Sequence, residues 1–184
     1  MFTLVPAALA LWLLAGDRTT TAVSRRLGLD RTRPLKDLGT GAVLAAVIGV
    51  PGIALYFVGH ALGITARVVP EALNAYWWTL PVLFLQAVKN AVIEEIVVVG
   101  YLLTRLRQLG VGPRTATAAS ALLRGSYHLY QGFGPFLGNA VMGVIFAEYF
   151  RRRERVLPLI VAHTILDTAS FIGYDLLRGT LHLP

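Results

Sequence analysis

Two adjacent glutamates, Glu94 and Glu95, interrupt an apolar run that extends from Ala91 to Val99. A charge near the middle of a bilayer costs several kcal/mol, about 2.5–3.5 even on a lenient insertion scale. Two carboxylates side by side also repel each other. A chain keeps such a pair where partners await it or where the pair does chemistry. His128, and His163 with Asp167, lie in other apolar stretches. Arg124 and His128 are four residues apart, as are His163 and Asp167, and residues so spaced share a helix face. A glutamate, a histidine and a His/Asp pair from three helices make a water-activating centre. A carboxylate can take a proton from water while histidines orient the water or hold a metal that acidifies it. Glu94, His128, His163 and Asp167 are the candidate metal ligands, and Zn2+ is the candidate ion. Metal-free acid–base chemistry fits the same residues. Consecutive helical residues point about 100° apart, so Glu94 and Glu95 can border one cavity without meeting at one atom.

The elements that position these residues follow from composition. Of 184 residues 55% are hydrophobic and 15% charged, against about 25% charged in a soluble domain. The expectation is one all-α, polytopic membrane domain over residues 1–184. Six apolar segments fall at Phe2–Ala15, Gly39–Leu62, Tyr76–Leu103, Thr115–Tyr130, Pro135–Phe150 and Leu157–Leu177. The first is short for a span, and a shortened first helix with a basic loop is expected over residues 1–37. Pro51-Gly52 predicts a kink in the second. The site is expected inside a bundle of about six transmembrane helices.

Charge orients the bundle. Thirteen of the seventeen basic residues fall in three alternate loops, after the first, third and fifth segments. The positive-inside rule puts those loops in the cytoplasm. The opposite side holds Arg67 and Arg178, while Lys89 and Arg124 lie within apolar segments. The net charge of +7 is therefore a membrane signature, and no nucleic acid is expected as a partner. Trp77 and Trp78 fall where an aromatic belt belongs. Counted from the arginine-rich ends at 1.5 Å per residue, Glu94 lies about 16 Å deep. Arg124, His128, His163 and Asp167 fall at about 12–21 Å. Residues distant in sequence thus reach one membrane level.

Plainer readings exist for each group. The glutamates can pair with Lys89 or Arg124 in a transporter-like bundle. His128 can be a structural hydrogen-bonder, and His163 can simply bond Asp167. Tyr127, Tyr130 and Asn139 read as hydrogen-bonders between helices. Gly134, Gly138 and Gly143 read as close-packing sites. The chain has no cysteine, which removes thiolate zinc sites and a cysteine nucleophile. It contains no His-Glu-x-x-His, and Gly125-Ser126 is not a Gly-x-Ser-x-Gly elbow.

At these residues the chain resembles the CAAX-protease and bacteriocin-processing (CPBP, or Abi) family of intramembrane proteases. That pattern is Glu-Glu-x-x-x-Arg, then Phe-x-x-x-His, then His-x-x-x-Asn or Asp, on separate membrane helices. Glu94-Glu95-Ile96-Val97-Val98-Val99-Gly100 matches the first element in its glutamates and glycine. Arg124-Gly125-Ser126-Tyr127-His128 matches the second in its histidine, and His163-Thr164-Ile165-Leu166-Asp167 matches the third. The stretch from about Asn90 to Gly173 corresponds to the family core. Two positions depart: Val99 stands for the arginine and Arg124 for the phenylalanine. Together they predict that the guanidinium has moved to the next membrane helix, where it neutralises a glutamate.

The resemblance implies an endopeptidase that cleaves a membrane-associated protein or peptide. It implies that Glu94 activates water with His128 assisting, that Glu95 supports Glu94, and that His163 and Asp167 steady an oxyanion or bind a metal. The expected location is the membrane of a bacterial cell. A non-catalytic relative serving immunity or scaffolding, and a small transporter, are the alternatives. The absence of inverted repeats argues against the transporter.

Overall fold

The structure, a computed structural model, describes residues 4–16, 20–65 and 76–177, with backbone alone for 20, 21 and 172–177. Phe2, Arg18, Arg67 and Arg178 lie outside the described residues. The described residues are helical apart from turns and one bridging pair, Thr65 with Gly132. Helix α1 spans Val5–Ala15, α2 Thr20–Arg26 and α3 Pro34–Ala61. Helix α4, Thr79–Glu94, runs directly into a π-helical stretch, Glu95–Tyr101, and on into α5, Leu102–Gln108. Helices α6, Pro113–Ser126, α7, Phe133–Arg153, and α8, Leu157–Leu177, complete the order.

Each of the six apolar segments contains a helix, with altered bounds. The third is longer than expected, because helix continues from Thr79 to Gln108. The fourth is shorter, because α6 stops at Ser126 and only a single 3₁₀ turn, Leu129–Gln131, follows. Pro51 lies inside α3, and helix continues on both sides of it. Among the described residues two helices, α3 and α7, are long and apolar enough to cross a membrane, and Val5–Ala15 and Leu157–Phe171 are shorter apolar helices. At 1.5 Å per residue, α1 covers only about 16 Å.

The distribution of apolar side chains is that of a chain in lipid. Val43, Val47, Val50, Ile53 and Phe57 of α3 face outwards, as do Leu80, Val82, Phe84 and Leu85 of α4. An apolar exterior of this extent is a liability in water and the expected surface in hydrocarbon. The interior is narrow and built on small residues. Helix α6 packs mainly on α7, and α8 takes both α3 and α4. Helix α6 buries Ala116, Ser120, Ala121, Arg124 and Gly125, one face of its cylinder. Gly143 of α7 is why that face can come close. A Cβ there would lie 2.8 Å from Ala121 Cα and 3.4 Å from Arg124 Cδ.

The three arginine-rich loops meet at one end of the bundle. Arg155 bonds Asp37 at 2.6 and 3.0 Å and Asp30 at 3.2 Å. Val156 N–H donates to the Leu27 carbonyl at 2.8 Å. Arg107 pairs with Glu154 at 2.6 Å, and Arg105 reaches the Leu13 carbonyl. Hydrogen bonds from the Thr32 hydroxyl and N–H hold the Asp30 carboxyl down at about 2, below its ordinary 3.8. What that depression contributes to folding is complete above the unfolded value and fades as pH falls through about 2. The Asp30 side of the loop contact therefore stays charged down to acid pH.

Gly143→Val tests the close approach of α6 and α7. The added side chain meets backbone, so overpacking is expected to cost about 1–3 kcal/mol. Unfolding in detergent should show a lowered midpoint, whereas a control at the exposed Val144 should leave it in place.

Candidate active site

Glu94 closes α4 and Glu95 opens the π stretch. Ile96, Val97, Val98 and Val99 follow, and β-branched residues crowd an α-helix. In this stretch the backbone bonds five residues apart, as when Leu102 N–H reaches the Val97 carbonyl. Side-chain hydroxyls add bonds to its carbonyls. Ser120 of α6 donates its hydroxyl to the Val98 carbonyl at 2.9 Å, and Thr104 donates to Gly100 at 2.6 Å. Isolated π turns occur often at functional sites. The wider turn reduces the angle between consecutive side chains. Glu94 and Glu95 can therefore reach opposite arms of one guanidinium.

That guanidinium is Arg124. Its Nη2 lies 2.6 Å from Glu95 Oε1, and its Nη1 lies 3.5 Å from Glu94 Oε2. The Phe146 ring of α7 lies beneath it, 5.4 Å from Cζ to the ring centre. Glu95 Oε1 also receives His163 Nδ1 at 2.7 Å. His163 Nε2 faces Asp167 Oδ1 at 3.4 Å. On the other flank the Tyr127 hydroxyl donates to Glu94 Oε2 at 2.6 Å. One chain of polar contacts thus runs Asp167, His163, Glu95, Arg124, Glu94, Tyr127. Its middle is closed and its ends are open. Glu95 and Arg124 have no exposed side-chain surface, whereas Glu94 keeps 22% and Asp167 23%. Glu95 Oε2 and Arg124 Nε are buried with no hydrogen bond among the described residues.

The structure joins five of the six candidate residues, Glu94, Glu95, Arg124, His163 and Asp167, in this network. His128 enters it differently. Because α6 ends at Ser126, His128 does not share a helical face with Arg124. Its Nδ1 instead lies 3.0 Å from the Arg124 carbonyl, one of the acceptors that a helix end leaves open. Donation from Nδ1 leaves Nε2 as an acceptor in the neutral ring. No hydrogen bond among the described residues occupies that Nε2.

These residues do not fit a metal ion. Among the described residues, no three His, Asp or Glu side chains are grouped to hold one. His163 explains part of this, since each of its nitrogens faces a carboxylate oxygen. Nδ1 is taken up by Glu95 at 2.7 Å and Nε2 is turned towards Asp167, so neither nitrogen points at an open ligand position. Arg124 explains the rest, because a guanidinium on both glutamates repels a second cation.

Several expectations change. Of the three residues expected to hydrogen-bond between helices, only Tyr127 does so among the described residues. Tyr130 accepts from its neighbour Gln131, and Asn139 donates to Pro135 of its own helix. Lys89 bonds Gln86 at 2.7 Å, so the glutamates' cation is Arg124. Val99 is fully buried in the apolar core. Nothing in the residue pattern singled out Tyr127 beyond its neighbour Tyr130. Its one cue was its position beside His128.

A family model described as Rce1-like, type II CAAX prenyl endopeptidase, matches residues 76–169, just over half of the chain. All six candidate residues fall within it. Neither curated proteins nor solved structures gave a match.

The Arg124–Glu95 pair is testable as a coupled unit. Arg124→Met leaves a buried carboxylate without its counter-charge and is expected to cost about 3–5 kcal/mol. Glu95→Gln combined with Arg124→Met should cost less than the sum of the two single changes. Equilibrium unfolding of the four proteins in one detergent measures the coupling, and additivity would show that the pair is not coupled.

Proposed function

The chain belongs to the Rce1-like type II CAAX prenyl endopeptidase family, and from that premise we propose that it hydrolyses a peptide bond of a membrane-associated protein inside the bilayer. Six helical segments lie in the membrane in this reading, α1 entering it only part-way, with the arginine-rich end in the cytoplasm of a bacterial cell. The observation that carries the proposal is the unequal treatment of the glutamates. Glu95 is sealed between Arg124 and His163, while Glu94 is tethered through Oε2 alone and partly exposed.

Glu94 Oε1 takes a proton from water as the water oxygen bonds to the scissile carbonyl carbon. His128 Nε2 accepts the water's second hydrogen bond and fixes its direction. The carbonyl π electrons move to oxygen, giving a tetrahedral oxyanion. His163 Nε2 supports that oxyanion, since its contact with Asp167 at 3.4 Å is long for a hydrogen bond. Glu94 then passes its proton to the departing nitrogen as the C–N bond breaks, and its carboxylate returns. Glu95 holds His163 and Arg124 in place. Pre-placed charge of this kind works best where water is excluded. No step needs a metal.

A detergent-purified protein assayed on membrane peptides, with and without a prenylated C-terminus, tests the reading. Glu94→Gln should abolish cleavage, and His128→Ala should slow it by about 10²–10⁴-fold. Chelators should leave the rate unchanged. Cleavage that survives Glu94→Gln would end this mechanism, and a wild type that cleaves nothing would favour a non-catalytic relative. Arg124→Phe should inactivate by itself, and adding Val99→Arg should restore part of the rate. No recovery would sink the idea that the guanidinium has moved between helices.

A further inference from the structure

Glu94 can act as a base only through an oxygen that is free to meet water, and its two oxygens differ. Oε2 accepts the Tyr127 hydroxyl at 2.6 Å and lies 3.5 Å from Arg124 Nη1. Among the described residues no donor reaches Oε1. Arg124 is committed more closely to Glu95, at 2.6 Å, so the short contact on Glu94 belongs to Tyr127. A lock is needed here for a physical reason. The terminal torsion of a glutamate is broad, and little but neighbouring contacts fixes the plane of the carboxylate. The Tyr127 ring also packs against the His128 ring, with centres 4.7 Å apart and planes tilted by 40°. One side chain therefore touches both groups assigned to the water.

Resting on the protease reading above, we infer that Tyr127 is a positioning residue for peptide-bond hydrolysis, its hydroxyl fixing the Glu94 carboxylate so that Oε1 receives the proton of the attacking water. A hydroxyl that merely ties α6 to α4 would stabilise the fold without orienting the base. The two roles separate in experiment. Tyr127→Phe keeps the ring and its contact with His128 and removes only the donor. The expected result is a kcat lowered roughly 10- to 100-fold, the range of a hydrogen bond to a charged group. KM should stay within about twofold, with kcat taken per folded molecule so that a change in the unfolding midpoint does not enter.

A second measurement does not depend on activity. With glutamate side chains labelled with 13C, infrared difference spectra against Glu94→Gln identify the Glu94 carboxylate band. That band should shift in Tyr127→Phe. An unchanged kcat in Tyr127→Phe, or a lowered midpoint with kcat preserved per folded molecule, overturns the positioning role. An unshifted band overturns the lock itself. A wild type that cleaves no membrane peptide overturns the protease reading and the catalytic part of this inference together, and the band then decides the lock alone.

Discussion

Arg124 and Glu95 are both stripped of water, and neither charge is tolerable there without the other. Taking each ion out of water costs several kcal/mol, and their attraction repays this only at good geometry. The 2.6 Å contact supplies that geometry, and four elements must be in place to supply the contact. The π stretch turns Glu95 inward, and α6 delivers Arg124 on its buried face. Gly143 lets α7 close over that face and bring Phe146 under the guanidinium. Helix α8 places His163 on the same carboxylate oxygen. The pair therefore imposes its own requirements on much of the interior.

The pair does not satisfy every polar atom that it buries. Here Glu95 Oε2 and Arg124 Nε are buried and unpartnered among the described residues, and each such atom carries a desolvation penalty. The two glutamates are also unequally exposed. One carboxylate is locked in the interior while its neighbour in sequence lies at the open edge. Two chemically identical groups thus sit in different environments, the arrangement that sets paired carboxylates apart at other sites.

The local signals in the sequence were readable where the physics was local. His163 and Asp167 meet because residues four apart share a helix face, and α8 is regular across both. The three arginine-rich loops gather at one end because the apolar segments between them alternate in direction, and Asp30, Asp37 and Glu154 wait there for them. Arg124 was readable as the glutamates' cation because the expected arginine is missing at Val99. His128 was misplaced for a physical reason. Helix α6 ends at Ser126 beside the close approach of Gly125, where a Cβ would lie 2.9 Å from the Phe136 carbonyl, and no residue spacing encodes that packing. The π stretch was equally hidden, since a run of valines is also compatible with α-helix or strand. Its stability depends on Ser120, twenty-two residues away from Val98 in sequence.

The placement of the cation has a consequence for how the site assembles. In the pattern that the chain resembles, the arginine lies on the glutamates' own helix, so the charges travel together before any packing occurs. Here position 99 is a fully buried valine in the apolar core, and the guanidinium arrives on a different helix. The carboxylates are then neutralised only when α6 docks. Docking in turn requires the glycine-sized gap at Gly143 and the Ser120 hydroxyl bond to Val98. Packing and charge compensation become one event, because a half-docked α6 leaves two carboxylates uncompensated in a medium of low dielectric. A loosely closed bundle is thereby penalised twice, once in contacts and once in charge, which favours a single well-defined geometry at Glu94.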